Sequence, residues 1–162
     1  MATQKIDSTD LAIVEELEED ARQTLSEIAS KVSLSAPAVK RRIDRLLELG
    51  VIAGYTVRVD HSKLGRPLVA FTELRFTGST PVEEITEIAA ATPEVEALFT
   101  IAGDPDALVQ IRIADVDRLN VVIDRFRRSG KVIGTKTLIV LGSWRRHGGT
   151  HDRDRTPPPR RY

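Results

Sequence analysis

Apolar residues in the first third of the chain recur at helical spacing in three successive segments. The first segment opens with Asp7 or Ser8, and either side chain can cap a helix. The second opens with Thr24, and Glu27 three residues later completes a capping box. The third opens with Ser35, about four residues after the second ends, which is the spacing of a helix-turn-helix. The pattern therefore predicts three short helices, of which the last two form that motif.

After residue 50, the pattern of apolar and polar residues changes. Residues 51–60, VIAGYTVRVD, are rich in β-branched residues and predict a strand. Alternating and helical patterns then follow in the order β-α-β-β-α-β, a ferredoxin-like arrangement. We expect an α+β protein with a helix-turn-helix domain over 1–52, a hinge strand and linker over 53–67, and the βαββαβ domain over 68–144. Residues 145–162 are rich in Arg and Pro without an apolar pattern, and predict a disordered tail.

Composition excludes several classes of site and of protein. The chain has no cysteine, so disulfides and thiolate metal ligands are excluded. No apolar stretch approaches the roughly 20 residues that span a bilayer, and the N-terminus lacks a signal-peptide core. We therefore expect a cytoplasmic protein without a membrane partner. The only histidines are His61, His147 and His151, which leaves the domain over 68–144 without an acid–base histidine. We expect no enzyme, no catalytic residue, no cofactor and no metal.

The third predicted helix carries local positive charge, although the formal net charge is zero. Apolar residues form one arc of that helix, and Arg41 lies almost opposite this arc. Small residues at the helix start would let the backbone approach a DNA groove, and arginine can bridge guanine or phosphate. The alternative is a solvated face whose salt links join Arg41 or Arg45 to Glu48 or Asp44. The helix-turn-helix context favours DNA. The candidate DNA contacts are Thr24, Ser35, Ala36, Pro37, Ala38, Lys40, Arg41, Arg42 and Arg45.

The segment Gly103-Asp104-Pro105-Asp106 interrupts two apolar runs. Backbone N–H groups around a glycine can bind a carboxylate, and an aspartate can pair with an ammonium, so the turn suits an amino acid. Gly-Asp-Pro-Asp is equally good turn chemistry without a ligand. In a third interpretation, Asp104 or Asp106 pairs with an arginine of a neighbouring subunit.

Together these motifs resemble the leucine-responsive regulator/AsnC (feast/famine) family of bacterial and archaeal transcription factors. The resemblance rests on motifs in their order and spacing: D-x-x-D-x-x-I-V from Asp7, LSEIASKVSLS at 25–35, VKRRIDRLLELGVIAGYTVRVD at 39–60, Leu64-Gly65, and GDPD at 103–106.

The resemblance implies an N-terminal (winged) helix-turn-helix that binds double-stranded DNA, and a C-terminal RAM/ACT-like domain that senses a small molecule, usually an amino acid. Family members form homodimers through that second domain, and often octamers, and act on the nucleoid. The effector site implied by the resemblance consists of Thr100, Ala102, Gly103, Asp104 and Asp106.

Two departures leave an alternative open. Ala107 stands where relatives often carry a bulkier residue, and Pro105 stiffens the turn. They are compatible with an architectural DNA-binding protein that senses nothing. A sirohaem-decarboxylase-like enzyme shares the fold, but the domain over 68–144 lacks the histidines that such an enzyme uses. For the tail over 145–162, two hypotheses stay open. Its arginines could add non-specific contacts to DNA phosphates, or the tail could be an inert solubilising end.

Overall fold

The computed structural model describes residues 6–78 and 80–143, so the predicted tail lies outside the described residues. The chain divides into two compact units between Val57 and Arg58. Each unit has a separate hydrophobic core. None of the described helices has the length and apolar character needed to cross a membrane.

The first unit contains three α-helices: α1 (Ser8–Glu19), α2 (Leu25–Lys31) and α3 (Ala36–Glu48). Each begins after a side-chain cap, because the first N–H groups of a helix have no intrahelical acceptor. Asp7 caps α1, Thr24 with Glu27 forms the capping box of α2, and Ser35 caps α3. These caps and the three helices confirm the predictions from the sequence.

The three helices share one apolar core. Helix α3 turns its apolar arc inward, and α2 packs against it as the first helix of the helix-turn-helix. Full burial of a large aliphatic side chain contributes about 1.5–3 kcal/mol, so this core is the main source of stability for a small unit. The buried residues are Ile13, Ile28, Ala29, Val39, Ile43 and Leu46.

The strand predicted over residues 51–60 is absent from the structure, which contains neither helix nor strand from Ala53 to Asp60. A β-branched run has the propensity for a strand, but a ladder also needs a neighbouring strand to pair with. Tyr55 and Val57 are exposed there instead. Within the described part of the first unit, no strand forms a wing after α3.

The second unit is a four-stranded antiparallel sheet with two α-helices, in the predicted order β-α-β-β-α-β. Its elements are β1 (Leu68–Phe76), α4 (Val82–Ala90), β2 (Val95–Thr100), β3 (Ala107–Ile113), α5 (Val116–Arg128) and β4 (Val132–Ile139). The strands lie in the order β2-β3-β1-β4, so β1 is central and antiparallel to both neighbours. A short 3₁₀ helix, His61–Leu64, precedes β1.

The two faces of this sheet differ. Alternate residues of β3, from Ala107 to Ile113, are buried in a core shared with α4 and α5. Residues on the other face are only partly covered: Phe99 is 47% exposed and Leu138 is 49% exposed. Phe99 pairs with Leu108, and Leu138 with Phe71, so the register places apolar side chains across this helix-free face.

A buried carboxylate fixes α3 against α1. Asp10 is fully buried, and its side chain accepts the Asp7 backbone N–H at 3.0 Å and Arg42 Nη1 at 2.7 Å. Arg45 Nη2 donates to the same carboxylate, and Arg42 Nη1 also reaches Asp7 at 2.8 Å. We call Asp10, Arg42 and Arg45 the Asp10 cluster. Because a buried charge is tolerated only when it is paired, the cluster sets the position of α3.

The pKa of Asp10 reflects these contacts. Burial raises it, but the Asp7 backbone N–H and the Arg42 and Arg45 side chains outweigh burial, and the pKa lies below its ordinary 3.8. A carboxyl whose folded pKa is depressed stabilises the fold above its unfolded pKa, and that contribution is lost as the pH falls through the folded value.

We predict that Asp10→Asn destabilises the first unit by at least about 2 kcal/mol at neutral pH, because two arginines lose their buried partner. The difference from wild type should shrink as the pH falls from the ordinary aspartate pKa through the lower folded pKa of Asp10, because the carboxyl then becomes protonated. Urea unfolding followed by circular dichroism across this pH range measures both effects.

Glu15→Gln is the matched control, since Glu15 is exposed on the same helix. It should leave stability within about 0.5 kcal/mol of wild type. A destabilisation by Asp10→Asn no larger than that of the control would contradict the importance of the Asp10 cluster.

Candidate nucleic-acid and effector sites

Helix α3 carries an arginine, Arg41, on its exposed face. The Arg41 side chain is exposed and, within the part of the chain that the structure describes, makes no hydrogen bond or ion pair. The helix begins with the small residues Ala36, Pro37 and Ala38, and Ser35 uses its hydroxyl oxygen to accept the Ala38 N–H at 3.4 Å. The start of α3 is therefore unobstructed by large side chains.

The other basic residues of α3 already have partners. Lys40 Nζ lies 2.6 Å from Asp44 Oδ2, an exposed pair along the helix. Arg42 and Arg45 belong to the Asp10 cluster. The sequence placed Arg41 opposite the apolar arc but predicted DNA contacts for all four cations. Among the described residues, Lys40, Arg42 and Arg45 have acidic partners and Arg41 has none.

Four of the predicted DNA contacts share one region of the first unit. Ala38, Arg41, Arg42 and Arg45, together with Leu34, line a surface depression beside α3. Arg45 Nε is buried at this place with no hydrogen-bond partner in the described residues. The Thr24 hydroxyl, at the start of α2, is engaged with Glu27 in the capping box.

The second candidate site is the turn between β2 and β3. The Ile101 N–H donates to the Asp106 carbonyl at 2.9 Å, which closes the hairpin. Gly103 has φ 145°, a conformation that side chains disfavour, and a Cβ at this glycine would meet no atom within 4 Å. Thr100, Ala102 and Gly103 are exposed, so the predicted effector residues surround open space.

Asp106 joins this turn to the central strand. Its backbone N–H donates to the Leu74 carbonyl at 3.1 Å, and its Oδ2 accepts the Phe76 N–H at 2.7 Å. A hydrogen bond to a charged acceptor is roughly twice as strong as a neutral one. Asp106 is thus committed to holding the turn against the end of β1.

Asp104 faces an arginine of the same chain. Arg75 Nε lies 2.7 Å from Asp104 Oδ1, and Arg75 Nη2 donates to Asp104 Oδ2 at 3.2 Å. This is a two-point ion pair between a guanidinium and a carboxylate. The hydrogen bond to Asp104 raises the pKa of Arg75 above its ordinary value. The structure therefore supplies a third partner for this carboxylate, alongside the effector and the neighbouring subunit considered from sequence.

Sequence reasoning missed Arg75 and Phe76 as parts of this site. Both lie about 30 residues before the turn, and nothing in their local pattern marks them. The signal lay in the topology: β1 and β3 are antiparallel, and Leu74 pairs with Ala107. In the predicted fold, the end of β1 must therefore lie beside the start of β3.

The two departures have structural explanations. Ala107 is fully buried on the helix-covered face of the sheet, so its side chain contributes to the core and not to the exposed turn. Pro105 is half-buried and follows a cis peptide bond from Asp104. No group of three or more histidine, aspartate or glutamate side chains in residues 6–78 and 80–143 could hold a metal ion.

Two protein-family models match the two units. An AsnC-type helix-turn-helix domain matches residues 6–47, and an Lrp/AsnC ligand binding domain matches residues 69–150.

Proteins of known sequence and structure match over most of their length. The HTH-type transcriptional regulator Rv2324 of Mycobacterium tuberculosis is 39% identical over 139 residues, covering 86% of this chain and 94% of the relative. LysM of Saccharolobus solfataricus, also an HTH-type transcriptional regulator, is 32% identical and covers 89% of this chain and 99% of the relative.

The solved structure of Bacillus subtilis LrpC has a TM-score of 0.78 at 28% identity, covering 87% of this chain and 98% of that one. A Neisseria meningitidis regulator crystallised with L-Met has a TM-score of 0.82 at 24% identity, covering 88% and 94%, and shares the fold. One family model covers the unit that carries Arg41, and the other covers the unit that carries the Gly103 turn. The chain therefore belongs to the Lrp/AsnC family of helix-turn-helix transcriptional regulators and is not an enzyme.

Proposed function

We propose that this regulator reads a specific double-stranded DNA sequence through α3, and that its DNA binding or assembly responds to a small-molecule effector, an amino acid. The observation that carries the DNA-reading half is the free, exposed Arg41 beside the small residues at the start of α3. Because DNA is its ligand, we place the protein in the cytoplasm, on the nucleoid.

Base reading requires a side chain that can leave the protein surface. Arg41 has no internal partner in the described residues, so binding DNA breaks no ion pair. Arg42 and Arg45 would have to leave the Asp10 carboxylate, which is buried. We therefore assign base contact to Arg41 and a supporting position to Arg42 and Arg45, whose fixed charges still attract the phosphate backbone. Ser35, Ala36, Pro37, Ala38 and Lys40 flank that contact, and Thr24 lies at the start of α2.

We also propose a homodimer formed through the second unit, with further assembly to an octamer. The helix-free face of the sheet supports the dimer, because Phe71, Phe99, Leu108 and Leu138 present apolar surface that a second copy would cover. A twofold dimer uses the same patch on both subunits. On DNA, such a dimer requires two half-sites separated by about one helical turn or a multiple of it.

We predict that Arg41→Ala weakens binding to the specific operator by at least about 1 kcal/mol, while non-specific DNA loses much less. Footprinting on the DNA that flanks the protein's own gene should first locate an operator with two half-sites. Titrations on that operator and on a scrambled duplex then measure the two affinities.

Arg128→Ala removes the same charge from α5 and serves as the matched control, since Arg128 is highly exposed and only loosely paired with Asp124. Operator affinity should be unchanged in this variant. Unaltered operator affinity in Arg41→Ala would contradict the assignment of α3, and a footprint with a single half-site would contradict the dimer.

The sensing half is supported by the chemistry of the turn. Gly103 leaves open space, and Asp104 is highly exposed although it pairs with Arg75. The Asp104 carboxylate can form an ion pair with an ammonium, whereas the Asp106 carboxylate already accepts a hydrogen bond from the Phe76 N–H. An effector shifts assembly or DNA binding only as far as its affinities for the two states differ.

The Arg75–Asp104 pair also favours a second candidate function, an architectural DNA-binding protein without an effector. In that protein the turn would need no ligand, because its exposed carboxylate already has a partner.

A thermal-shift screen with the proteinogenic L-amino acids, one at a time, separates the two functions. We expect at least one amino acid to raise the melting temperature of the wild type, since a ligand that binds only the folded state stabilises it. Asp104→Ala should abolish this shift. If no amino acid stabilises the wild type, the architectural function replaces sensing.

A further inference from the structure

We propose that Arg75 is the carboxylate-binding residue of the effector site, and that a free α-amino acid binds by replacing both halves of the Arg75–Asp104 ion pair. The effector carboxylate would pair with Arg75 while its ammonium pairs with Asp104. This inference rests on the proposed sensing function, and it adds a residue from outside the turn together with the group of the ligand that this residue binds.

The ion pair offers a matched cation and anion to such a ligand. Arg75 engages Asp104 at two points, through Nε and Nη2. The planar fork of a guanidinium fits any carboxylate in the same way, including that of an amino acid. A zwitterion carries both a carboxylate and an ammonium. It can therefore separate Arg75 from Asp104 and still give each of them a partner of opposite charge.

Arg75 is held in place independently of Asp104. It lies in the central strand β1, where it pairs with Gly134 of β4. Its aliphatic stem rests over that glycine, because a Cβ at Gly134 would lie 3.5 Å from Arg75 Cβ and Cδ. Packing over Gly134 thus fixes the aliphatic stem of Arg75, and only the guanidinium has to exchange its partner.

The pair is also accessible enough to exchange. The Asp104 side chain is 73% exposed and that of Arg75 is 39% exposed. Exposed ion pairs contribute little to stability, because solvent screens them, so opening this one costs little. Asp106 remains bonded to the Phe76 N–H, and the turn keeps its place while Asp104 changes partner.

Neighbouring charges leave Arg75 available to an anion. Two other acids lie near it: Asp106, whose carboxylate accepts the Phe76 N–H, and Glu73, whose Oε2 lies 3.9 Å from Arg75 Nη2. Glu73 also pairs with Lys136 Nζ at 3.3 Å. Glu73 therefore has a cation of its own when Arg75 turns to the ligand. A simple amine would satisfy only Asp104, and a simple carboxylic acid only Arg75. The site accordingly selects free α-amino acids over either.

Isothermal titration of the full chain tests this assignment. The probes are the amino acid that gives the largest thermal shift, its α-carboxamide and its N-acetyl derivative. The wild type should bind the amino acid at least about tenfold more tightly than the carboxamide, which lacks the charge that Arg75 pairs with. It should discriminate equally against the N-acetyl derivative, which lacks the ammonium.

In Arg75→Gln, affinity for the amino acid should fall by about tenfold or more, and its preference over the carboxamide should drop below about twofold. Discrimination against the N-acetyl derivative should persist, because Asp104 remains. Arg118→Gln removes another exposed arginine–carboxylate pair, that with Glu94, and should bind all three probes as the wild type does.

The outcomes distinguish this inference from the proposed function. If the wild type binds an amino acid but does not prefer it to the carboxamide, or if Arg75→Gln keeps the wild-type preference, the assignment of Arg75 is overturned and sensing stands. If the wild type binds no amino acid, both fail. The comparison of acid with amide uses only the wild type, so it holds even if Arg75→Gln does not fold.

Discussion

The hydrogen bond from the Phe76 backbone N–H to the Asp106 carboxylate, at 2.7 Å, is the constraint on which the second unit's site depends. It ties the turn between β2 and β3 to the end of the central strand, and the Asp106 N–H reinforces it by donating to Leu74. Because the turn is held there, Asp104 lies beside Arg75. Two carboxylates of one turn consequently differ: Asp106 maintains the structure, and Asp104 is exposed in an ion pair with Arg75.

The first unit divides its charges in a similar way. Asp10 is buried and holds Arg42 and Arg45, which fixes α3 against α1. Arg41, next to this cluster in sequence, points to solvent without a partner in the described residues. In both units, charged groups committed to the fold position a neighbouring charged group whose side chain is exposed. Fixing α3 in this way lowers the ordering cost of any contact that the helix makes, since only side chains such as Arg41 have to lose conformational freedom.

Local sequence patterns predicted the elements well. The caps at Asp7, Thr24 and Ser35 and the order β-α-β-β-α-β are confirmed, because capping and apolar periodicity depend on nearby residues. Pairing between distant residues was not predictable from pattern alone. The strand predicted over 51–60 is wrong for lack of a partner, and the contacts of Asp10 and Arg75 join segments about 30 residues apart. Such contacts emerge only from the assembled fold.

The free energy of unfolding of Asp106→Ala and Asp104→Ala, measured side by side in urea, tests this division of function most directly. Asp106→Ala should lower stability by about 1–3 kcal/mol, because the partly buried Phe76 N–H loses a charged acceptor. Asp104→Ala should change it by less than about 1 kcal/mol, as expected for an exposed ion pair. Equal losses in the two variants, or a larger loss in Asp104→Ala, would contradict the claim that Asp106 holds the turn and Asp104 is free to exchange.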